Sequence, residues 1–364
     1  MSSDFVIAAV VVAALGFGFT NGFHDTLDLV ATAVAGGAGS PQLALGVAAV
    51  LNFLGAFLSV EVAQTIATDV IDPTAINPAV VFAGLLAAIV WNLGTWSFGL
   101  PSSSSHALIG GVVGATLAAV GTAGVVGGGL LDKVLLPALV APLLAFAGAL
   151  VLIVVFYHLF GRRRPGTVIR GFRVAQLGSG GLLALAHGAN DIQKTTGVIM
   201  LALIANGTLG ADADPPLWAT LAAAVAIAVG TYAGGLRMLR TTGTRIIKMD
   251  AAQGFSAQSA GAIVILVATF LGFPISTTHA INGGVMGAGA TKRLSPARWG
   301  IAGNIVTAWL LTLPAAAALG AAAYGLMRIA GTGALGPVLL AAVALLLFVS
   351  LFLRRVRASA PAAG

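Results

Sequence analysis

The sequence predicts an all-α, polytopic membrane protein built from two inverted-topology repeats, with broken helices and two re-entrant helical hairpins. Three observations predict this fold class: an apolar composition, basic residues confined to a few clusters, and motifs that occur twice. Hydrophobic residue types make up 58% of the 364 residues and charged types only 8%, whereas a soluble domain carries roughly a quarter charged residues. This composition excludes a soluble enzyme and, despite a net charge of +7, a nucleic-acid-binding protein. The absence of Cys excludes disulfides and Cys-based metal sites.

A membrane-spanning helix needs about 20 mostly apolar residues, and long apolar runs cover most of this chain. The N-terminus lacks the positive region of a cleaved signal, so the first run is predicted to be a retained span. Two runs are long, interrupted by polar residues and predicted to be broken, namely 5–39 and 174–206. The other segments are 43–62, 79–98, 102–123, 134–160, 217–236, 259–273, 279–291, 296–326 and 336–353.

The basic residues predict the orientation of these segments. Lys and Arg concentrate in four clusters, at 162–173, 237–248, 292–298 and 354–357. Cytoplasmic loops of membrane proteins are enriched in Lys and Arg, so all four clusters are placed in the cytoplasm. We therefore expect a multi-pass protein of the plasma (inner) membrane, with its N-terminus outside and its C-terminus cytoplasmic.

Two pairs of segments are predicted to enter the membrane and return to the same side, because their flanking loops have the same sidedness. The pairs are 79–98 with 102–123, entering from outside with Pro101 at the tip, and 259–273 with 279–291, entering from the cytoplasm with Pro274 near the tip. Two ordinary pairs of spans would give the same sidedness and are the alternative.

Two motifs occur twice, in the same order. Residues 101–115 (PSSSSHALIGGVVGA) and 274–288 (PISTTHAINGGVMGA) share nine of fifteen positions. The pentapeptides NGFHD and HGAND form a second, weaker pair, in which Asn and His exchange places. Because the two halves start on opposite sides of the membrane, we predict inverted repeats, a plan common among secondary transporters. The predicted divisions are a first repeat over 1–160, a cytoplasmic basic linker over 161–173, a second repeat over 174–335, and an extra C-terminal transmembrane helix with a basic tail over 336–364.

The Ser/Thr runs after the two tip prolines predict an oxyanion site. A helix start leaves backbone N–H groups unpaired and attracts anions through those groups and the helix dipole. Hydroxyl groups would add further donors, and two such ends meeting from opposite sides would surround a tetrahedral anion. Plain helix caps are the alternative. The candidate hydroxyl groups are those of Ser103, Ser104, Ser105, Ser276, Thr277 and Thr278.

Three acids lie inside apolar runs, namely Asp25, Asp28 and Asp191. A charge at the bilayer centre costs about 2.5–3.5 kcal/mol on insertion scales, so such residues need a partner and mark functional sites. Beside an anion site, a carboxylate makes chemical sense if it binds a proton or a cation that accompanies the anion. Asn21 and Asn190 offer oxygen ligands suited to a hard cation. The alternative is a purely structural ion pair.

Lys194 and four His residues accompany these motifs. Lys194 follows Asp191 by three residues, as Asp28 follows Asp25, so we hypothesise that Lys194 pairs with Asp28 or contacts the anion while Asp28 gates it. His24, His187, His106 and His279 are attached to the repeated motifs. His titrates near neutral pH and can carry a coupled proton. Fixing the local backbone is the alternative role for each.

The motifs NGFHDT (21–26), HGANDIQKTTG (187–197), PSSSSHALIGG (101–111) and PISTTHAINGG (274–284) resemble those of the inorganic phosphate transporter family. The resemblance covers nearly the whole chain. It implies symport of inorganic phosphate with sodium or protons by a homodimer. It also implies ion coupling by Asn21, Asp25, Asn190 and Asp191, and phosphate binding by the two Ser/Thr tips. We add Asp25, Asp191, Gln193 and Lys194 to the expected substrate-binding residues.

The chain departs from the family pattern near the expected ion sites. His24 stands in place of an Asn, Asp28 and Lys194 replace the last Asn of each motif, and Gln64 and Gln258 align with Glu of some members. We keep His24, Asp28, Gln64 and Gln258 among the expected ion-coupling residues. An internal ammonium group can occupy the place of a monovalent cation. We therefore favour proton over sodium coupling, as in the low-affinity bacterial members, which take up phosphate with a divalent metal as a neutral complex.

Three other functions are alternatives. A permease for sulfate or another oxyanion fits less well, because sulfate cannot donate hydrogen bonds to Asp25 and Asp191. An intramembrane hydrolase would use Ser103 or Ser104 with His106, but two near-identical tips facing opposite sides argue against a single nucleophile. A passive channel would not need the buried acids. We assign no catalytic residue, protein-bound metal or cofactor.

Overall fold

A computed structural model describes the backbone of residues 2–35, 41–98, 102–242, 249–291 and 296–359. Side chains are described for 4–26, 42–98, 102–164, 166–234 and 249–291, and for most of 303–350. The described residues are mostly α-helical and form no β-strand beyond one isolated bridge between Ile71 and Val125. The helices are α1 (Ser2–Ala35), α2 (Pro41–Gly55), α3 (Glu61–Gln64), α4 (Pro78–Phe98), α5 (Ser104–Val120), α6 (Gly127–Gly129), α7 (Leu136–Phe160), α8 (Pro165–Ala205), α9 (Leu217–Thr242), α10 (Ala251–Phe270), α11 (Thr277–Gly289), α12 (Pro296–Ala330) and α13 (Leu335–Ser359). Short π-helical turns follow α3 (Thr65–Asp69) and precede α7 (Leu130–Leu135), and a 3-10 turn covers Gly121–Gly124.

The predicted fold class, an all-α membrane protein, is confirmed. Within the described part of the chain, seven helices are long and apolar enough to cross a membrane. The polar helix α8 is not among them, although its 41 residues extend for about 60 Å at 1.5 Å per residue. α8 carries the buried polar motif, which lowers its mean hydropathy.

The predicted breaks in the two longest segments are wrong. α1 is one helix of 34 residues and α8 one helix of 41. Their polar side chains find partners on other elements, so the backbone does not need to open to satisfy them. The chain is interrupted instead between α4 and α5 and between α10 and α11, at the two Ser/Thr tips.

The predicted basic linker is shorter than expected. α8 begins at Pro165, a residue well suited to the first turn of a helix because it lacks an N–H group. Arg170 and Arg173 therefore lie on the first turns of α8, while Arg162, Arg163 and Arg164 are exposed before it. The Lys and Arg side chains of the other three basic clusters all lie outside the described residues.

Helix packing in the two halves follows one pattern. α1 packs against α9 as α8 packs against α2, and α4 packs against α1 as α10 packs against α8. α5 packs against α12, and its counterpart α11 packs against α7. This correspondence is expected of a duplicated half. The opposite orientation of the halves in a membrane stays a prediction.

Each tip helix also has a glycine that packs closely on a neighbouring helix, at or next to a proline of that helix. α7 contains Pro142 and α12 contains Pro314, each inside the helix. Gly110 of α5 lies directly on the backbone of Leu313, and Gly283 of α11 lies directly on the backbone of Pro142. A Cβ atom at either glycine would overlap a backbone carbonyl oxygen. Only glycine permits this close approach of each tip helix to its neighbour.

The two tips differ from ordinary spans to different degrees. α11 has 13 residues and, at about 20 Å, is too short to cross a hydrocarbon core of about 30 Å. α4, and α5 together with the 3-10 turn that follows it, are each long enough to cross. The re-entrant hairpins therefore remain a prediction, and Pro101 lies outside the described residues.

Candidate functional site

The N-termini of two helices and the middle turns of two other helices meet at one buried site. The N-termini of α5 and α11 reach Asp25 of α1 and Asp191 of α8, whose side chains are 1% and 0% exposed. We call this group the central cluster. It consists of Asn21, Asp25, Ser104, Ser105, His187, Asp191, Lys194, Thr277 and Thr278.

Asp25 accepts hydrogen bonds from both tips. Ser104 of the first tip lies with its Oγ 3.1 Å from Asp25 Oδ2, and Thr278 of the second tip lies with its Oγ1 3.2 Å from Oδ1. His24 Nδ1 lies 3.0 Å from the same Oδ1 atom. One carboxylate thus joins the two Ser/Thr runs that the sequence identified as a pair.

Asp191 occupies the equivalent position in the second half. Its Oδ2 atom accepts from Asn21 Nδ2 at 3.1 Å and from Thr277 Oγ1 at 3.3 Å. Asn21 belongs to α1, and its Oδ1 atom accepts from Ser104 Oγ at 2.7 Å. Asn21 therefore connects the acid of the second half to the tip of the first.

His187 lies between the two acids. Its Nε2 atom is 3.2 Å from Asp191 Oδ2 and 3.6 Å from Asp25 Oδ2. Its Nδ1 atom faces Asn52 Oδ1 at 3.1 Å, and Asn52 Nδ2 donates in turn to Thr231 Oγ1 at 3.0 Å. Nδ1 thus has a hydrogen-bond partner in Asn52, whereas Nε2 lies at ion-pair distance from both carboxylates without a hydrogen bond of normal geometry.

Asn52 and Thr231 belong to no repeated motif, and the sequence patterns did not single them out. Both are completely buried, on α2 and α9, and each lies in a mostly apolar stretch of its helix. A solitary amide or hydroxyl group does not distinguish a site from a structural hydrogen bond. Asn52 was nevertheless detectable, because a buried Asn in an apolar run needs a partner.

Lys194 pairs within its own helix. Its Nζ atom lies 2.6 Å from Asp191 Oδ1, 2.6 Å from Ser105 Oγ and 2.5 Å from the backbone oxygen of Ile275. An ammonium group has three hydrogens, and these three acceptors use all of them. The hypothesis of direct pairing with Asp28 is therefore not supported, and the Asp28 side chain lies outside the described residues.

One hydroxyl group of each tip is a plain helix cap. Ser103 accepts from the backbone N–H of His106 at 3.1 Å, and Ser276 accepts from that of His279 at 3.3 Å. The cap alternative thus holds for these two residues. The other four tip hydroxyl groups point into the central cluster, as the oxyanion hypothesis requires.

The tip histidines contact each other instead of the cluster's hydroxyl groups. The rings of His106 and His279 meet edge to face with centroids 4.7 Å apart, and His279 stacks on Trp309 at 4.2 Å. Neither ring nitrogen of His106 has a hydrogen-bond partner among the described residues. Ser104 donates to Asn21 and Asp25, so the nucleophile–base contact of a hydrolase is not formed.

Asn190 and Gln193 hold neighbouring backbone instead of entering the cluster. Asn190 Nδ2 donates to Thr269 Oγ1 at 2.9 Å and to the backbone oxygen of Phe273 at 3.1 Å, which fixes the segment before α11. Gln193 Oε1 accepts from Val62 N at 3.0 Å at the start of α3, and its Nε2 donates to the Ser59 carbonyl. Their direct roles in ion coupling and substrate binding are not supported by this placement.

Gln64 and Gln258 also lie apart from the central cluster. Gln64 is half-buried on α3, and Gln258 Oε1 accepts from Ser179 Oγ at 2.8 Å between α10 and α8. Ser179 precedes Asp191 by more than three turns of α8. Their expected ion-coupling role stays a prediction.

Three residues of the central cluster have the types and the spacing of metal ligands, but their carboxylate oxygens already have other partners. Asp25, His187 and Asp191 each offer one ligand atom, all within 4.8 Å of one another. Lys194, Asn21 and the tip hydroxyl groups already engage the carboxylate oxygens. We therefore assign no resident metal to these residues.

Comparison with known proteins identifies the family. The sequence model of the "Phosphate transporter family" matches residues 21–168 and 162–320. A probable low-affinity inorganic phosphate transporter of Mycobacterium tuberculosis is 50% identical over 329 residues, covering 90% of this chain and 79% of the relative. Relatives of the same description in Rhizobium meliloti and Bacillus subtilis are 45% and 40% identical, each over 88% of this chain and 96% of their own length.

A solved structure shares the fold. It is described as "The sodium-dependent phosphate transporter" and superposes with a TM-score of 0.82, covering 89% of this chain and 99% of its own. At 24% sequence identity, this likeness establishes the fold alone. The relatives and the fold are those of transporters and not of enzymes, which confirms the prediction that the chain is not an enzyme. The chain belongs to the phosphate transporter family.

Proposed function

We propose that this chain imports inorganic phosphate across the plasma membrane together with protons, by alternating access of its two inverted halves. One observation carries the proposal. The two tip helix starts converge on a buried pair of carboxylates that a single imidazole bridges. Anion donors and proton acceptors thus lie within one hydrogen-bonded group.

The tips supply the anion site. Ser104, Thr277 and Thr278 donate to carboxylate oxygens, which are anionic acceptors as phosphate oxygens are. The helix starts add backbone N–H groups and a favourable dipole. A phosphate that carries protons can also donate to Asp25 or Asp191, which sulfate cannot do, so the acids favour phosphate.

The coupled proton is carried by His187 and the two acids. Two carboxylates, one lysine ammonium and one imidazolium sum to zero charge, which suits a completely buried site. Entry of an anion disturbs this balance, and a proton that enters with it and is accepted by one of the two acids restores the balance. The related fold is described as sodium-dependent, but here Lys194 already places a positive charge beside Asp191.

Alternating access requires the two tips to separate in turn from the cluster. Each tip contacts the cluster through a few hydroxyl groups, and the two tips contact each other through their histidine rings, so opening breaks few bonds. We propose an extracellular N-terminus, a cytoplasmic C-terminus and a homodimer, as the motif resemblance implies. The basic residues at 162–164 would then face the cytoplasm.

Uptake of radiolabelled phosphate into proteoliposomes tests the proposal. We expect an inward proton gradient to drive accumulation of phosphate, a sodium gradient of equal size to drive none, and excess sulfate to compete weakly. Asp25→Asn and Asp191→Asn should each abolish accumulation, with Asp132→Asn on an exposed turn as the control. Uptake driven by sodium alone would refute proton coupling, and strong sulfate competition would favour an oxyanion permease.

Two further arms of the same assay complete the assignment. Phosphate that equilibrates without accumulating would indicate a passive channel. Uptake that requires magnesium, with one metal ion entering per phosphate, would show that the neutral metal–phosphate complex is the substrate.

A further inference from the structure

We propose that the ammonium group of Lys194 is a tethered monovalent cation that fills a cation site built from Ser105, Asp191 and Ile275. Removing the ammonium group should open this site to a free ion such as sodium. The inference rests on the proposed function, because it explains which cation is not carried with phosphate.

The contacts of the Lys194 ammonium carry the argument. Its Nζ atom is surrounded by a hydroxyl, a carboxylate and a carbonyl oxygen at 2.6, 2.6 and 2.5 Å, and the whole side chain is buried. These are the oxygen types that bind hard cations in proteins. The set carries one negative charge, as a site for a monovalent ion requires.

The three oxygens come from parts of the chain that must come together. Ser105 belongs to the first tip, Asp191 to the middle of α8, and Ile275 to the segment just before the second tip. A cation at this point therefore holds both tips against α8. A free ion could leave when a tip separates, whereas the ammonium group stays attached to α8 and can bind the tip again when it returns.

The covalent attachment of the Lys194 ammonium group limits which ion can be transported with phosphate. An ammonium group that is covalently attached cannot leave with phosphate, so the charge at this point is not transported. Any coupled ion must then bind elsewhere in the cluster, and His187 with the two acids is the remaining set of groups that can exchange a proton. Lys194 would thus determine ion specificity by occupying a cation site, without itself being carried.

A role in binding phosphate predicts a different result. If Lys194 mainly contacted the anion, its loss would weaken phosphate binding and no added cation would restore uptake. If it were purely structural, sodium would not stabilise the variant. Saturable rescue by a small cation distinguishes the proposal from both.

The experiment uses the full chain in proteoliposomes and in detergent. Lys194→Ala opens the space, and Lys194→Met fills it without charge. Lys133→Ala is the matched control, because Lys133 lies outside the cluster above the Phe273 ring. Uptake is measured with sodium or choline salts at equal ionic strength, and melting temperature is measured against sodium concentration without phosphate.

We expect phosphate uptake by the wild type and by Lys133→Ala to be the same in sodium salts as in choline salts. Lys194→Ala should lose uptake by more than about tenfold in choline and regain it saturably in sodium, and an inward sodium gradient should then drive it. Its melting temperature should rise with sodium, since a ligand bound only by the folded state stabilises it. Lys194→Met should show neither response.

The failure of this inference is distinguishable from failure of the proposed function. If Lys194→Ala folds but its melting temperature does not respond to sodium, the cation site is refuted whatever ion the wild type uses. If the wild type is itself driven by sodium, proton coupling fails. In that case, a sodium-dependent melting temperature confined to Lys194→Ala would still support the oxygen site.

Discussion

Neutralising Asp191 should destabilise the protein through the ammonium group it leaves behind. Asp191→Asn keeps the shape of the side chain but removes the charge that lies 2.6 Å from Lys194 Nζ. Breaking a buried ion pair by changing one partner costs about 3–5 kcal/mol, because the other charge stays buried without compensation. This is a large fraction of the roughly 5–15 kcal/mol that stabilises a typical domain.

The double variant Asp191→Asn with Lys194→Met tests the cause of that loss. It removes both charges, so most of the cost should disappear, although uptake should not return because Asp191 is needed to carry the proton. Thermal unfolding in detergent measures the effect, and we expect the single variant to melt lower by roughly 5 °C. Asp132, which is exposed, and Lys133, which is half-buried outside the cluster, give a matched double variant that should change stability by less than about 1 kcal/mol.

Two results would contradict the reasoning. One is an Asp191→Asn protein as stable as the wild type, which would mean that the acid is not charged in the folded state. The other is a double variant no more stable than the single one, which would mean that the lost stability comes from the contacts with Asn21 and Thr277.

Three further predictions follow from the fold and the site. His187→Gln keeps a hydrogen-bond donor toward the acids but cannot be protonated. Phosphate should therefore still exchange across the membrane, as a counterflow assay measures, but a proton gradient should no longer drive its accumulation, as gradient-driven uptake measures. Gly283→Ala should lower the melting temperature and uptake because its Cβ overlaps the backbone of α7, whereas Gly289→Ala, which has open space, should not; equal effects of the two would contradict the packing argument. The chain has no Cys, so a single cysteine can be introduced at Arg163 or at Thr208, which are both exposed. Impermeant maleimides should label these two cysteine variants from opposite sides of the membrane. Labelling of both variants from the same side would overturn the predicted topology.

The sequence singled out the central acids and tips because their residue types are rarely placed in such surroundings without a shared purpose, and their roles stay a prediction. A carboxylate in an apolar run, such as Asp25 or Asp191, must find a partner, and a repeated Ser/Thr run at two helix starts points to a common site. The structure brings these residues together as expected. The placement of Lys194 beside Asp191 was also within reach, since residues three apart face each other on a helix.

The remaining contacts depended on tertiary structure. Whether α1 and α8 are broken is decided by which side chains the neighbouring helices offer, and the sequence does not contain those distances. His187 meets Asn52 because α2 packs against α8, a contact that no motif encodes. Asn190 matched the family pattern in type but points away from the acids, to Thr269 and Phe273.

The reciprocal packing of α5 on α12 and of α11 on α7 limits how the protein can move. Each hairpin is held by a helix from the other half of the sequence, through the glycine contacts at Gly110 and Gly283. α4, α5 and α12 therefore pack as one group, and α10, α11 and α7 pack as another. In the proposed transport cycle, each tip helix would move together with its partner helix from the other half. Expressed alone, either half would leave the glycine-lined face of its tip helix without the helix that covers it.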